Sequence, residues 1–543
     1  MRYINAQSLS YRLVLKMTLM FAVFVFVLMV QVRPNGCERP NIVFIIADDL
    51  GWNDVGFHSG DVSTPNIDAL AYHGVILTRH YAQPLCSPSR TALLTGDYPL
   101  RHGMQSTPCL AGVDDGLPTD VKIMPQYFSK LGYKSHLVGK WHQGYETLEQ
   151  LPTRRGFDSF FGYLNGFLGY WDCIHYMNGV AGRDLRRNEE GAWRECYGNY
   201  LTDLLTNEAV KIIREHQEPD GLLLLLTHAA VHTTFLDIER EAPEGVQNIT
   251  SRGYLRAMAE RLDWSVGEVV RALNERGLLN NTIIAFISDN GAPTYSSSFS
   301  NHGSNWPLRG EKGSVHDGGV RTVAAVWSPL LKNLSRVSDQ YFHISDWLPT
   351  LYTAAGGDVN ELESKDGINQ WDSLVTSTHG ARDTIIVNID EETRTEAVIK
   401  SNWKLVKNQN PKSVGINDDL YYGESGRWMT YDLERVNTSA VARILGPISD
   451  KYKTLRQSAS INVPCSDETS AMGEDCHTRY CLYDILNDPT ECYNLAANNS
   501  AIVADLKAIL ESYRPSLVSV PPKYYDSRAS PKNWNDYWSP WIK

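Results

Sequence analysis

Three continuous apolar runs, each ending abruptly in polar residues, organise the hydrophobic pattern of this chain. Asn41-Ile42-Val43-Phe44-Ile45-Ile46 stops at Asp48-Asp49, and Thr282-Ile283-Ile284-Ala285-Phe286-Ile287 stops at Asp289-Asn290-Gly291. Residues 222–226 form the third run, followed by His228 and His232. Unbroken apolar, β-branched runs of this length predict strands buried on both faces. Helix-patterned stretches at 200–216 and 254–276 lie between them. Alternating buried strands and helices predict a doubly wound α/β domain, in which ligands bind beyond the carboxyl ends of the strands. Carboxylates and imidazoles at three strand ends are therefore expected to converge. After about residue 375 the texture changes to short, half-buried runs at 383–388, 395–400 and 402–406, which predict an antiparallel sheet. The expected organisation is a targeting segment over 1–36, a catalytic domain over 37–375 and a C-terminal α+β subdomain over 376–543.

The first segment carries Arg2, Arg12 and Lys16 ahead of an apolar run at 17–32, then Arg33-Pro34-Asn35-Gly36. The run is shorter than the ~20 residues of a spanning helix, so a cleaved signal peptide is expected, with an uncleaved type II anchor as the alternative. No other stretch approaches membrane length, so no stable span is expected after cleavage. The chain of 543 residues is 42% hydrophobic, enough for a large core. Its net charge of −12 excludes nucleic acid as a natural partner, and an anionic substrate would need a local basic pocket. Nine cysteines fit an oxidising compartment: with Cys86 set aside, eight remain, the even number that disulfides require, and Cys173 with Cys196 is the simplest pair. Their spacings lack a zinc pattern. Acceptor sequences at Asn248, Asn280, Asn333, Asn437 and Asn498 suit a secretory glycoprotein.

Candidate chemistry centres on Leu85-Cys86-Ser87-Pro88-Ser89-Arg90-Thr91-Ala92-Leu93-Leu94-Thr95-Gly96. The stretch predicts a short helix capped by Ser87 or Ser89, with Cys86 beside its anion-favouring N-terminus. Arg90 adds a guanidinium fork suited to a tetrahedral oxyanion. Asp48, Asp49, Asp289 and Asn290 are hard oxygen donors, which select Ca²⁺ or Mg²⁺ over zinc. Asp-Asn-Gly is also a common turn sequence, and it is the pairing of two such strand ends that favours a metal site. In Gly139-Lys140-Trp141-His142, Lys140 and His142 would project to one face if the strand continued. Lys312 lies in a glycine-flanked loop able to reach over an anion. His302 and His316 read as loop histidines without a role.

Cys-x-Pro-Ser-Arg-x-x-x-x-Thr-Gly, matched at Cys86, Pro88, Ser89, Arg90, Thr95 and Gly96, resembles the signature of the type I, formylglycine-dependent sulfatases. Gly139-Lys140-Trp141-His142, Val231-His232 and the loop bearing Lys312 resemble further segments of that family. The string Asn305-Trp306-Pro307-Leu308-Arg309-Gly310 is similar to the arylsulfatase B (N-acetylgalactosamine-4-sulfatase) group. The resemblance implies an alkaline-phosphatase-like sulfatase fold, with a large doubly wound mixed sheet and a smaller C-terminal antiparallel sheet. It also implies oxidation of Cys86 to formylglycine by the formylglycine-generating enzyme. One Ca²⁺, with Mg²⁺ the lesser alternative, would be held by Asp48, Asp49, Asp289, Asn290 and residue 86. Aryl sulfates or sulfated sugars of glycosaminoglycans, such as N-acetylgalactosamine 4-sulfate, would be hydrolysed in the lysosome or outside the cell. In that scheme a hydroxyl of the hydrate at position 86 attacks sulfur, while Arg90, Lys140 and Lys312 offset charge on the sulfuryl oxygens. His232 with Lys312 protonates the leaving oxygen, and His142 takes a proton from the remaining hydroxyl. Thr233-Thr234 departs from the family's usual Glu-Pro after the histidine, and Ala529 stands where the arylsulfatase B group has a cysteine bridged to the segment around Cys109. Two rivals are weaker. A phosphatase or phosphodiesterase of the same superfold would use Ser or Thr where Cys86 stands, and a non-catalytic glycan-binding relative would not keep all ten site residues.

Overall fold

The computed structural model describes residues 39–542 except 59–60, 178, 218, 235–237, 248, 295–299, 379, 409–430, 449 and 462–475. The expected targeting segment and Asn248 lie outside the described residues. The elements below all belong to the compact unit Pro40–Lys543. Among the described residues no helix is long and apolar enough to cross a membrane.

All three apolar runs are strands of one ten-stranded sheet: Asn41–Ala47, Gly221–Thr227 and Thr282–Ser288, each buried at every position. Asn41–Ala47 lies between the other two, parallel to both, and Tyr133–Lys140 and Ser159–Tyr163 extend the parallel set. On the opposite side Ala324–Trp327 pairs antiparallel with Thr282–Ser288, which makes the sheet mixed. Because successive strand residues face opposite sides, each run supplies two cores. Val43, Ile45, Leu222, Leu224, Ile284 and Phe286 pack with apolar residues of the helices Leu201–Glu215 and Ser251–Glu275. Ile42, Phe44, Leu223, Leu225, Ile283 and Ala285 pack with Cys86–Thr95 and Trp347–Ala354 on the other face. A run that must satisfy both layers has no room for a polar residue, so polarity returns only where the strands end.

The C-terminal strands form the expected antiparallel sheet, in the order Thr384–Asp390, Thr395–Lys400, Trp403–Asn408 and Cys481–Asp484. A fully buried ionic cluster ties it to the loop that follows the Thr282–Ser288 strand. Lys404 Nζ lies 2.6 Å from Asp317 Oδ1 and 2.9 Å from Glu491 Oε1, and Asp317 N donates to Glu491 Oε2 at 2.7 Å. His316, in the loop just before Asp317, belongs to this cluster, with Nδ1 3.3 Å from Glu491 Oε1, so it is a buried structural histidine.

The cysteines pair only in part as expected. Cys173–Cys196 is a disulfide, Cys476–Cys481 is another, and Cys492 is also disulfide-bonded. Cys109 is a free, buried thiol whose Sγ lies 3.2 Å from Asp115 O, so the eight cysteines besides Cys86 do not all pair. Cys37 and Cys465 lie outside the described residues.

Candidate active site

The helix carrying the cysteine begins at Cys86 itself, with Leu85 as N-cap and no side-chain cap. Neither serine caps it, because each is turned to another task. Ser87 Oγ accepts from Cys109 N at 3.0 Å, and Ser89 Oγ accepts from Gln83 N at 3.0 Å and donates to Asp289 O. The first helical N–H groups remain directed at the site, where they favour negative charge. At the other end Gly96, at φ 74°, closes the helix by donating to Ala92 O.

Around Cys86 the strand ends converge as expected. Cys86 Sγ lies 3.7 Å from Asp48 Oδ1, and ligand atoms of Asp48, Asp49, Cys86 and His232 all fall within 4.8 Å of one another. Asp289 joins through its partners: Oδ1 accepts from Asp49 N at 3.2 Å, and Oδ2 accepts from Arg90 Nη2 at 2.8 Å. Two buried cations, Lys140 and Arg90, and the part-buried Lys312 face these three carboxylates. Lys140 Nζ donates to Asp48 Oδ2 at 2.6 Å, Lys312 Nζ to Asp49 Oδ2 at 2.8 Å, and Arg90 Nε also reaches Asp289 Oδ2 at 3.2 Å. Asn290 Nδ2 donates to Asp49 Oδ1 at 2.7 Å and to Gly291 O at 3.0 Å, which leaves its Oδ1 buried with no hydrogen-bond partner.

Electrostatics follow from that packing. Burial pushes the Asp49 carboxyl up, but Lys312, His232 and Lys140 together hold it down at about 2. Asp289, buried and facing Asp48, is raised to about 6 despite Arg90. Burial raises the Cys86 thiol to about 12, even though Lys140 and Lys312 pull the other way. A thiol in this position stays protonated near neutral pH and is a poor nucleophile.

The two site histidines are placed by different devices. The strand Tyr133–Lys140 ends at Lys140, and His142 takes a left-handed backbone at φ 54°, so the two side chains do not share a strand face. The cause is the neighbouring chain: Trp141 N and His142 N donate to Tyr163 O and Leu164 O, beyond the end of the paired strands. His142 Nε2 lies 2.9 Å from Cys109 O, and since a carbonyl only accepts, Nε2 carries the proton. Its Nδ1 is then a buried lone pair without a partner. Burial, reinforced by Lys140 and Arg90, lowers this histidine well below its ordinary value. His232 donates from Nδ1 to Thr233 O and sets Nε2 3.5 Å from Asp49 Oδ2. Burial and Lys312 lower it to about 3. His228, by contrast, pairs with Ser265 Oγ at 2.9 Å and belongs to the helix-packed core.

Several residues that the motifs did not single out hold this geometry. Gln143 Oε1 accepts from Thr91 Oγ1 at 2.7 Å, and its Nε2 donates to Ser87 O and His142 O, joining the Cys86 helix to the histidine. Asn301 Nδ2 donates to Asp49 O at 2.9 Å and Val231 O at 3.1 Å, linking the turns that carry Asp49 and His232. The loop after Ser159–Tyr163 touches both histidines. Phe167 stacks on His232 with 5.8 Å between centroids, and a Cβ on Gly166 would come within 2.8 Å of the His142 ring. Only the buried polar character of Gln143 and Asn301, invisible in a linear pattern, marks them.

A model of the sulfatase family matches residues 40–357, the span that contains every one of these site residues. The chain belongs to the sulfatase family. Sulfatases are sulfuric ester hydrolases and metal-dependent, and the oxygen-rich cluster suits a cation. Arylsulfatase J of Mus musculus is 34% identical over 516 residues, covering 94% of this chain and 81% of that protein. N-acetylgalactosamine-6-sulfatase of Homo sapiens is 32% identical over 353 residues, 62% of this chain and 66% of that protein. Among solved structures, Ps i-CgsB in complex with k-i-k-neocarrahexaose superposes with a TM-score of 0.68 at 24% identity, covering 92% of this chain and 97% of that one. That likeness shows the α/β fold with its large mixed sheet and separate four-stranded sheet.

Within this sulfatase the Arg90 guanidinium is held by directed contacts. Its Nε and Nη2 hold Asp289, and its Nη1 donates to Lys140 O at 3.3 Å. Arg90→Lys supplies one ammonium for three directed donors, so kcat/KM is expected to fall roughly 100-fold. Steady-state kinetics with 4-nitrophenyl sulfate, alongside a melting curve matching wild type, check this; retention of most activity would refute the directed contacts.

Proposed function

We propose that this sulfatase hydrolyses sulfate esters of sulfated sugars, N-acetylgalactosamine 4-sulfate foremost, with formylglycine at position 86 and Ca²⁺ as the metal. The observation that carries the reading is the buried cluster in which Asp48, Asp49 and Asp289 are matched one for one by Lys140, Lys312 and Arg90 around Cys86. A divalent cation added to this balanced set makes it net positive, as capture of a sulfate ester requires.

The donor set fits such an ion. Three carboxylates and the partnerless Asn290 Oδ1 are hard oxygens, and a buried acceptor left unpaired is destabilising until something electropositive meets it. Asp48, Asp49, Asp289, Asn290 and residue 86 would hold Ca²⁺, which polarises a sulfate oxygen and acidifies a nearby hydroxyl. The thiol's protonated state at neutral pH supports replacement of Cys86 by its aldehyde, whose hydrate supplies a hydroxyl nucleophile and a second hydroxyl for release of sulfate. Lys140, Lys312 and Arg90 stabilise charge on the sulfuryl oxygens. Lys312 delivers the proton for the leaving sugar oxygen, and His232, neutral with its Nδ1 proton on Thr233 O, stands beside it against the same Asp49. The bare Nδ1 of His142 accepts a proton from the hydrate. Where the family carries Glu-Pro, Thr234 donates to Glu241 and Thr233 to Ser300 O.

Secretion or lysosomal residence is supported by the disulfides and by the exposed side chains of Asn280, Asn333 and Asn498 as glycan acceptors. Asn437 is half-buried, its Oδ1 accepting from Ile448 N at 2.7 Å. Protein purified from secretory expression should hydrolyse 4-nitrophenyl sulfate and favour N-acetylgalactosamine 4-sulfate over the 6-sulfate. Chelation should abolish turnover and Ca²⁺ should restore it better than Mg²⁺. Turnover that survives exhaustive chelation would refute the metal assignment, and equal or greater rates on the 6-sulfate would refute the sugar assignment.

A further inference from the structure

The loop around Cys109 supplies the carbonyl that orients His142, yet no covalent bridge holds it there, because Cys109 is a free thiol. His142 Nε2 donates to Cys109 O at 2.9 Å, which leaves Nδ1 as the bare acceptor. Were that carbonyl to move, neither the tautomer nor the direction of the ring would be fixed. From the site side, Ser87 Oγ holds Cys109 N at 3.0 Å. From the other side the loop is gripped by one residue of the C-terminal tail.

That residue is Lys523. Its Nζ donates to Thr107 O at 2.8 Å and to Pro108 O at 3.2 Å, the two carbonyls before Cys109, and lies 3.1 Å from Asp115 Oδ2. Three acceptors match the three protons of an ammonium. Asp115 Oδ2 also accepts from Leu110 N at 3.0 Å, and Asp115 O lies 3.2 Å from Cys109 Sγ. Both flanks of Cys109 therefore close on one ammonium. The side chains of Lys523 and Asp115 are only 17% and 2% exposed, so this is not an ordinary solvated surface pair. The tail is seated independently of Nζ: Val518 N donates to Leu100 O at 2.8 Å and Asp526 N to Gly112 O at 2.8 Å. Pro521 and Pro522 restrict the backbone just ahead of the lysine.

We propose that Lys523 is a positioning residue for sulfate release: by clamping the carbonyls on either flank of Cys109, it holds His142 with Nδ1 free to accept a proton. The proposal rests on the reading of His142 as the acceptor in the second half of turnover. In that half the remaining hydroxyl of residue 86 gives its proton to Nδ1, and its O–H electron pair completes the aldehyde. The bond from the same carbon to the sulfate oxygen breaks, and sulfate leaves with that pair. The first half, in which 4-nitrophenol departs from 4-nitrophenyl sulfate, does not use His142. Lys523→Met should therefore show a burst of one 4-nitrophenol per active site, then turnover at least tenfold slower than wild type. Because only the later step slows, kcat and KM should fall together and kcat/KM should stay within about twofold. His142→Ala should show the same pattern more strongly, and adding Lys523→Met to it should cost nothing further. Unchanged kcat in Lys523→Met, a loss of kcat/KM without a burst, or a full second loss on top of His142→Ala would each overturn the proposal. Lys523→Gln and Asp115→Asn decide by the same criteria if the methionine variant does not fold. His142→Ala with wild-type kcat, or slow without a burst, would instead refute the role given to His142, and the proposal with it.

Discussion

Replacing Cys86 by alanine should remove turnover by roughly 10⁴-fold or more, the loss typical of deleting a nucleophile, while the protein stays folded. The side chain lost is small and sits at the first turn of the helix, where Ser87, Ser89 and Gln143 hold the backbone independently of Sγ. The same position should carry an aldehyde in active wild-type protein. A thiol raised to about 12 by burial is almost wholly protonated at neutral pH, and it has no second hydroxyl through which sulfate could be released. Trypsin should liberate residues 80–90 as a peptide with Cys86 as its one cysteine position. Mass spectrometry should find that peptide mainly in the lighter aldehyde form, reactive to a hydrazide and inert to thiol alkylation. Active preparations containing only alkylatable cysteine at residue 86 would refute the formylglycine mechanism.

Asp289→Asn should lower kcat/KM by roughly 10³-fold and weaken Ca²⁺ retention, with a smaller effect on melting temperature than Asp289→Ala. The reason for preferring the amide is Arg90. Its guanidinium is fully buried and donates to Asp289 Oδ2 through both Nε and Nη2. Truncation to alanine strands that charge with only Asp48 at 3.7 Å, and breaking a buried pair from one side costs about 3–5 kcal/mol. The asparagine variant keeps one acceptor, its Oδ1, for Arg90, gives up the bond from Asp49 N, and removes the charge that a cation needs. Metal analysis of the purified variant, its kinetics and its melting curve separate the two effects. Full metal content with near-normal turnover would remove Asp289 from the site.

Much of the site could be read along the chain because its chemistry is concentrated where apolar runs stop. Asp48, Asp49, Asp289 and Asn290 each follow a strand whose two faces are committed to two cores, so polarity at those points has one place to go. Directions were less legible. His142 was expected on the face of Lys140, but it lies beyond the last strand residue, where pairing to Leu164 O turns the backbone left-handed. Ser87 and Ser89 carry the composition of a helix cap, yet both hydroxyls are claimed by the segments around Cys109, Gln83 and Asp289. Cys109 counted toward an even set of disulfides and is a free thiol.

The sequence by itself determined the order of strands and helices, the position of Cys86 at a helix start, and the ligand types available to a metal. These are local properties: hydrophobic period, run length and the polarity of strand ends. Only the tertiary structure decided which charge meets which. Lys140 is matched to Asp48, Lys312 to Asp49 and Arg90 to Asp289 across separations that no spacing rule spans. It also decided that Gln143, Asn301 and Phe167 brace the site, because a buried hydrogen bond or ring contact depends on neighbours from distant segments. The linear pattern specifies what each segment can offer, whereas partner choice depends on the close packing of all of them, where each buried charge or amide must find its complement.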